Sequence, residues 1–217
     1  MINPQKPDSV IESIFSSLNE SRSVEFKPSV PWPKDRNEFQ GAHKAQEIAK
    51  SILAMSNSRD GGKVVLGVEL DATTKSYVLK GMAPKDLISY DQDLIYQQVR
   101  NFGRPEPRFQ VVNVERGAMN FIVFAVQPFI LAPIICNNPW NLPKLEAAAI
   151  YIRSDKPETK KVSDPVEMKE LVDAVVDREL EGFSGRVQKL FGASRPAPPQ
   201  GKTDRARFDD EIKDLKP

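Results

Sequence analysis

The sequence predicts an α/β (α+β) domain, a mixed β-sheet with flanking helices, followed by a flexible C-terminal tail. Three observations lead there. Helix-like and strand-like hydrophobic periodicities alternate along the chain to about residue 181. The run Lys63 to Leu70 is apolar at nearly every position, as expected of a strand buried on both faces. Beyond Gly182 large apolar residues thin out, and Gly, Pro, Arg, Lys and Asp dominate to Pro217. The domain is therefore placed at residues 1–181, with its packed part starting near residue 9, and the tail at 182–217.

Each element has its own signal. Val10, Ile11, Ile14, Phe15 and Leu18 recur at helical spacing behind Ser9 as N-cap, predicting a helix from Ser9 to Asn19. Val24-Glu25-Phe26-Lys27 alternates as a short strand, with Glu25 and Lys27 on one face. Three prolines and many polar residues make Pro28 to Gly41 a loop. A helix follows from Ala42 to Asn57, with Ala45, Ile48, Ala49, Ile52, Leu53 and Met55 inward, stopped at Gly61-Gly62. After the Lys63–Leu70 strand come a helix from Asp91 to Phe102, a hairpin of Phe109–Glu115 and Phe121–Gln127 around Arg116-Gly117, and a strand from Ala148 to Arg153. Asp164-Pro165-Val166-Glu167 combines an acidic cap, a first-turn proline and a glutamate at N3, a strong helix start.

Composition excludes several function classes. The 217 residues carry 31 Lys+Arg against 30 Asp+Glu, so nucleic acid can be met only by a local patch and not by a uniformly basic coat. One cysteine, Cys136, allows no intrachain disulfide; its apolar surroundings mark it as buried and inert. One histidine, His43, excludes multi-histidine metal sites. The longest apolar run, Phe129 to Cys136, is far short of the roughly 18 residues needed to span a bilayer, and the N-terminus lacks a signal-peptide core. The expectation is a cytoplasmic protein with no membrane partner. No G-x-x-x-x-G-K-[ST] loop is present and Gly61-Gly62-Lys63 enters a strand, so no ATP site is expected.

The stretch ESRSVEFK, Glu20 to Lys27, carries the chemistry. Glu20 and Glu25 flank the start of a strand, and Glu69 ends the otherwise apolar VVLGVEL. Carboxylates at buried strand ends need a cation or hydrogen bonds to offset their desolvation. Three that converge suit a hard divalent ion, Mg2+ or Mn2+, which can activate water for attack on a phosphate. Lys27 would hold or neutralise that phosphate. The alternative reading keeps these acids in solvent or pairs Glu25 with Lys27 or Arg22. Pro7-Asp8 with Glu25-Phe26-Lys27 also mimics a PD-(D/E)xK nuclease signature, although a helix separates its halves. Trp32 and Trp140, both in Pro-rich loops, either stack on unpaired bases or pin their loops. Arg153 either contacts phosphate or forms a cross-strand salt bridge.

Taken in order, ESRSVEFK, the helix IAKSILAMSNSRDGG, the strand KVVLGVEL and the segment AAIYIRSDKPET resemble the Schlafen-type domain, also called the Alba-like divergent (AlbA) domain, over roughly residues 12–180. Tyr151, Arg153 and Thr159 match the family's late motif. The resemblance implies a single Schlafen-core-like lobe. It further implies a divalent-metal-dependent ribonuclease acting on transfer RNA or other structured RNA, possible work in toxin or anti-phage defence, and a homodimer or multimer, with or without other defence proteins. Its catalytic and metal-binding acids fall on Glu20, Glu25 and Glu69, with Lys27 assisting. Glu69 stands where the family more often has aspartate and Leu70 replaces a common second acid, leaving Asp71 as a substitute ligand. The alternative implied is a non-catalytic DNA- or RNA-binding or assembly module.

Overall fold

A computed structural model describes residues 2–192, with side chains to residue 188. Contacts divide the chain after Val176. Everything below lies in the first unit unless stated.

A two-residue strand, β1 (Pro4–Gln5), leads to α1 (Ser9–Ser17). Asp8, not Ser9, caps that helix: its carboxylate accepts from Ile11 N at 2.7 Å. The capping role leaves Asp8 no part in a PD-(D/E)xK site. Then come β2 (Val24–Lys27), α2 (Arg36–Gly41) and α3 (His43–Ser56). The expected loop before α3 thus contains a short helix, started by Asp35, whose side chain accepts from Asn37 N and Glu38 N. All six inward positions expected on α3 are fully buried.

The apolar run after Gly61 is two strands and not one. β3 (Gly62–Leu66) ends at Gly67, and β4 (Val68–Leu70) leaves the sheet to pair with β5 (Tyr77–Leu79). Gly67 has φ +95°, and a Cβ there would lie 2.8 Å from the Gly81 carbonyl carbon. Only glycine makes this bend. Next are α4 (Pro84–Leu87), α5 (Gln92–Val99) with one further 3₁₀ turn over Arg100–Phe102, and β6 (Gly103–Arg104). The expected hairpin is β7 (Phe109–Arg116) and β8 (Met119–Val126), turning at Gly117 with φ +62°. β9 (Ile135–Cys136), β10 (Tyr151–Arg153) and β11 (Thr159–Lys161) precede α6 (Pro165–Gly192). Asp164 caps α6 as expected, accepting from Val166 N and Glu167 N, while Glu167 accepts from Ser163 N. The helix does not stop at Gly182: glycine lowers helix propensity without forbidding the conformation. The remainder of the expected tail, 193–217, lies outside the described residues.

The main sheet has the order β1-β7-β8-β3-β2, with β2 parallel to β3 and β3 antiparallel to β8. Its two faces have separate cores. Val64, Leu66, Ile122 and Phe124 face α3 and α5; Val65, Phe121 and Val123 face α1. Strand β2 is an edge, and Glu25 and Lys27 point to its α3 side while Phe26 packs on the α1 side.

Candidate functional site

The free edge of β2 is where the quoted motifs meet. Glu25 is 5% exposed. A carboxylate so placed must be compensated, and two cations do it. Arg153 Nη1 donates to Oε2 at 2.7 Å, and Lys27 Nζ lies 2.7 Å from Oε1. Thr159 Oγ1 adds a longer contact to Oε2 at 3.4 Å. Arg153, whose side chain is completely buried, also donates Nη2 to the carbonyls of Ser21 and Val24.

Glu20 serves the same edge. Its Oε1 accepts the Phe26 amide at 2.8 Å. Phe26 N–H, which would otherwise be open to another strand, is thus taken by Glu20, and Val24 C=O accepts the Ser21 amide at 3.0 Å with Arg153 as a longer second donor. Pro28 has no N–H to offer. Glu20, Arg153 and the Ser21 amide thus occupy groups that an added strand would need. Tyr77, on β5, packs its ring on Phe26 at 4.9 Å. Its phenol is pushed well above the usual tyrosine value, first by burial, then by a hydrogen bond with Glu20 and the negative charges of Glu20 and Glu25. Glu20, Glu25 and Tyr77 therefore form one electrostatic group.

Glu69 is not in it. On β4, Val68 and Leu70 share the face that lines a cavity with Lys27 and Tyr77. Glu69 alternates to the other face, opposite Val78 in register, and is exposed. Asp71 is occupied at the β4–β5 turn, accepting from Thr73 N and Thr74 N, which holds its carboxyl below the usual range. Among the described residues no group of three or more His, Cys, Asp or Glu side chains is placed to hold a metal ion. The donor set does not fit a three-carboxylate centre as arranged: both Glu25 oxygens already carry a cation, and Glu69 faces elsewhere.

The other expected contact residues are likewise structural. Trp32 is 1% exposed and donates its indole N–H to Gln98 Oε1 at 2.6 Å, so it presents no face to a base. Trp140 packs edge-on against Phe102 and Phe39, pinning its loop. Arg153 is a buried ion-pair partner with no surface for phosphate. Of the expected nucleic-acid contacts, Trp32 and Arg153 are buried, Trp140 is half-buried, and Lys27 keeps a quarter of its side chain exposed. Among the described residues no helix is long and apolar enough to cross a membrane. Cys136 is buried, its thiol pushed up to about 11 chiefly by desolvation, as its apolar run implied.

Asn57 and Gly61-Gly62 hold this arrangement. Asn57 Nδ2 donates to the carbonyls of Ile134 and Tyr151, and its Oδ1 accepts Ile134 N, all between 2.7 and 2.9 Å. This ties the end of α3 to β10, which carries Arg153. A Cβ on Gly61 would meet Val126 O at 2.1 Å, and one on Gly62 would meet Ser23 O at 2.8 Å. These contacts leave room for glycine only.

The family model described as Schlafen, AlbA_2 matches residues 20–162, which includes every motif just placed. The chain belongs to the Schlafen, AlbA_2 family. Membership points to a nucleic-acid-related function. No curated protein matches significantly. Two solved structures are similar. One is the DIP2311 protein from Corynebacterium diphtheriae, 17% identical, covering 70% of this chain and 25% of its own, with a TM-score of 0.44. The other is the N-terminal domain of an ATP-dependent DNA helicase RecG-related protein from Nitrosomonas europaea, 16% identical, covering 74% of this chain and 96% of its own, with a TM-score of 0.39. This chain thus spans about a quarter of the Corynebacterium protein.

Sequence reasoning missed Tyr77 as part of the site. The signal for Tyr77 was present: Asp71 and two threonines form a turn after Leu70, and Tyr77-Val78-Leu79 follows as the return strand.

Proposed function

We propose that this Schlafen, AlbA_2 chain acts as a nucleic-acid-binding module in which the motif residues Glu20, Glu25 and Arg153 build the site's frame and do not cleave the strand. The observation that carries this reading is the double ion pair on Glu25, with Arg153 on one oxygen and Lys27 on the other. With a cation on each oxygen, the Glu25 charge is already compensated, and a divalent ion would have to share those oxygens or displace Lys27. Family membership supplies the partner class, and the exposed part of Lys27 with the adjacent Lys44 supplies a local cationic patch on a chain of near-zero net charge.

One observation favours a second reading, divalent-metal-dependent cleavage of transfer RNA or other structured RNA. Glu20 and Glu25 both act on the Tyr77 phenol, so two of the three acids are close enough to share a field. A single experiment separates the two. Labelled transfer RNA, messenger RNA and single-stranded DNA are each incubated with the protein, with and without manganese, at several salt concentrations. Salt-dependent binding with intact strands supports the binding module. Manganese-dependent cleavage that Glu25→Gln abolishes, in a variant that still melts cooperatively, supports the nuclease and ends the first reading.

A further inference from the structure

Resting on the binding-module reading, we propose that the cavity beside β2 takes one unstacked nucleobase of a single strand, with the flanking phosphates held by Lys27 and Lys44. The cavity has a volume of about 230 Å³ and opens at the sheet edge, where α3 and the β4–β5 hairpin approach β2. Its wall is mostly apolar, built by Phe26, Ile48, Val68, Leu70 and the Tyr77 ring, with Glu47, whose charge is offset by Lys144, also on the lining. That volume lies below the roughly 300–1,000 Å³ of sites for drug-sized ligands, so the occupant is a fragment and not a large molecule.

A nucleotide satisfies both features of the cavity at once. The flat, largely apolar base fits the apolar wall, and the phosphodiester next to it needs cations at the mouth. Lys27 and Lys44 line the cavity from different elements, β2 and α3. Lys27 gives one of its three ammonium hydrogens to Glu25, which leaves donors for a phosphate. Lys44 forms no ion pair among the described residues, unlike Glu47 one turn away, whose carboxylate is met by Lys144 at 3.8 Å. An apolar peptide side chain would fill the wall without using either lysine. A duplex would offer the phosphates while keeping its bases stacked, so the site selects unpaired nucleotides.

The test is fluorescence anisotropy with a short mixed-sequence oligoribonucleotide, its deoxyribonucleotide counterpart, the matching duplexes, and abasic versions of both single strands. Base burial against an aromatic and apolar wall is worth about 1–3 kcal/mol, so intact single strands bind roughly 5- to 150-fold more tightly than abasic ones. Lys44→Ala weakens all strands and lowers the slope of log affinity against log salt by about one. Leu70, 54% exposed, is replaced by Gln without disturbing the core. Leu70→Gln narrows the gap between intact and abasic strands while the melting temperature stays put. Whichever of the RNA and DNA arms binds tighter names the natural strand, and the abasic comparison decides the proposal in both. Equal affinity for intact and abasic strands, or a Leu70→Gln variant with the gap unchanged, overturns the base pocket and leaves the binding module standing. No salt-dependent binding of any strand overturns both.

Discussion

Arg153 and Glu25, 128 residues apart in the chain, meet through a 2.7 Å ion pair with both side chains buried. The pair joins the edge strand of the main sheet to the small β10–β11 ribbon, and Thr159 across that ribbon touches both partners. Removing charges from water is costly. The pair persists because Arg153 Nη2 donates to two backbone carbonyls and Lys27 takes the second carboxylate oxygen, although the buried Arg153 Nε–H finds no partner among the described residues.

Glu25→Gln is therefore expected to destabilise the fold. It leaves the Arg153 guanidinium buried without its counter-charge, at about 3–5 kcal/mol. For a chain of this size that lowers the melting temperature by roughly 6–20 °C. Thermal denaturation followed by circular dichroism reads it. The opposite sign is informative: acids crowded at an ion site repel one another without the ion, so neutralising one would raise the stability of the metal-free protein. A stabilised Glu25→Gln would refute the ion-pair account.

Asn57 is a second place where one side chain holds several elements. Replacement by Ala leaves Ile134 N, Ile134 O and Tyr151 O without partners in the interior. At about 1 kcal/mol for each lost bond, the expected cost is about 3 kcal/mol. Urea denaturation gives the total, and hydrogen exchange should show Ile134 N losing protection before the β7 and β8 amides do. A loss under about 1 kcal/mol would mean that Asn57 is not the tie.

How far these roles were legible depends on what each residue needs from its surroundings. The α3 face was readable because six apolar residues at helical spacing have one way to be buried. Asp164-Pro165-Val166-Glu167 was readable because a capping box is local. The motif Glu20 to Lys27 was readable as special, since acids in a buried edge strand demand compensation. Its compensators were not, because Arg153 comes from far along the chain. Glu69 went astray on one residue: treating VVLGVEL as a continuous strand overlooked the positive φ of Gly67, which turns β4 out of the sheet and gives the cavity Leu70 in place of an acid. Trp32 and Trp140 lacked any periodic signal. Whether an indole in a Pro-rich loop faces inward depends on partners such as Gln98 and Phe102, which spacing alone does not reveal.

The placement of the two tryptophans is directly measurable. Trp32 is sealed by Phe39, Tyr90 and Phe124, and Trp140 is packed against Phe39 and Phe102. Saturating single-stranded RNA should leave the position and intensity of tryptophan emission nearly unchanged, and acrylamide should quench Trp32 only weakly in a Trp140→Phe variant. Strong quenching on RNA addition would return an indole to the binding surface.

Alkaline pH should weaken the fold, and the sign follows from the direction of the shifts. Burial pushes the Cys136 thiol up to about 11 from its ordinary 9.0, and raises the phenols of Tyr90 and Tyr77 above their ordinary 10.0. These groups stay neutral in the folded chain at a pH where the unfolded chain has begun to ionise. The unfolded state then binds fewer protons, so stability falls as pH rises. Lys160 acts in the same direction: its ammonium is held protonated chiefly by its hydrogen bond to Glu167, and that contribution disappears as the lysine finally titrates. The stabilising contribution of Cys136 is complete below pH about 9 and is lost as the pH climbs through about 11, with the tyrosines and Lys160 following. Urea midpoints measured from neutral pH into this window should decline steadily. Cys136→Ala, compared with the wild type, should remove the earliest part of the decline and leave the later part in place. A midpoint that holds level or rises across the window would show that these side chains are not buried as placed.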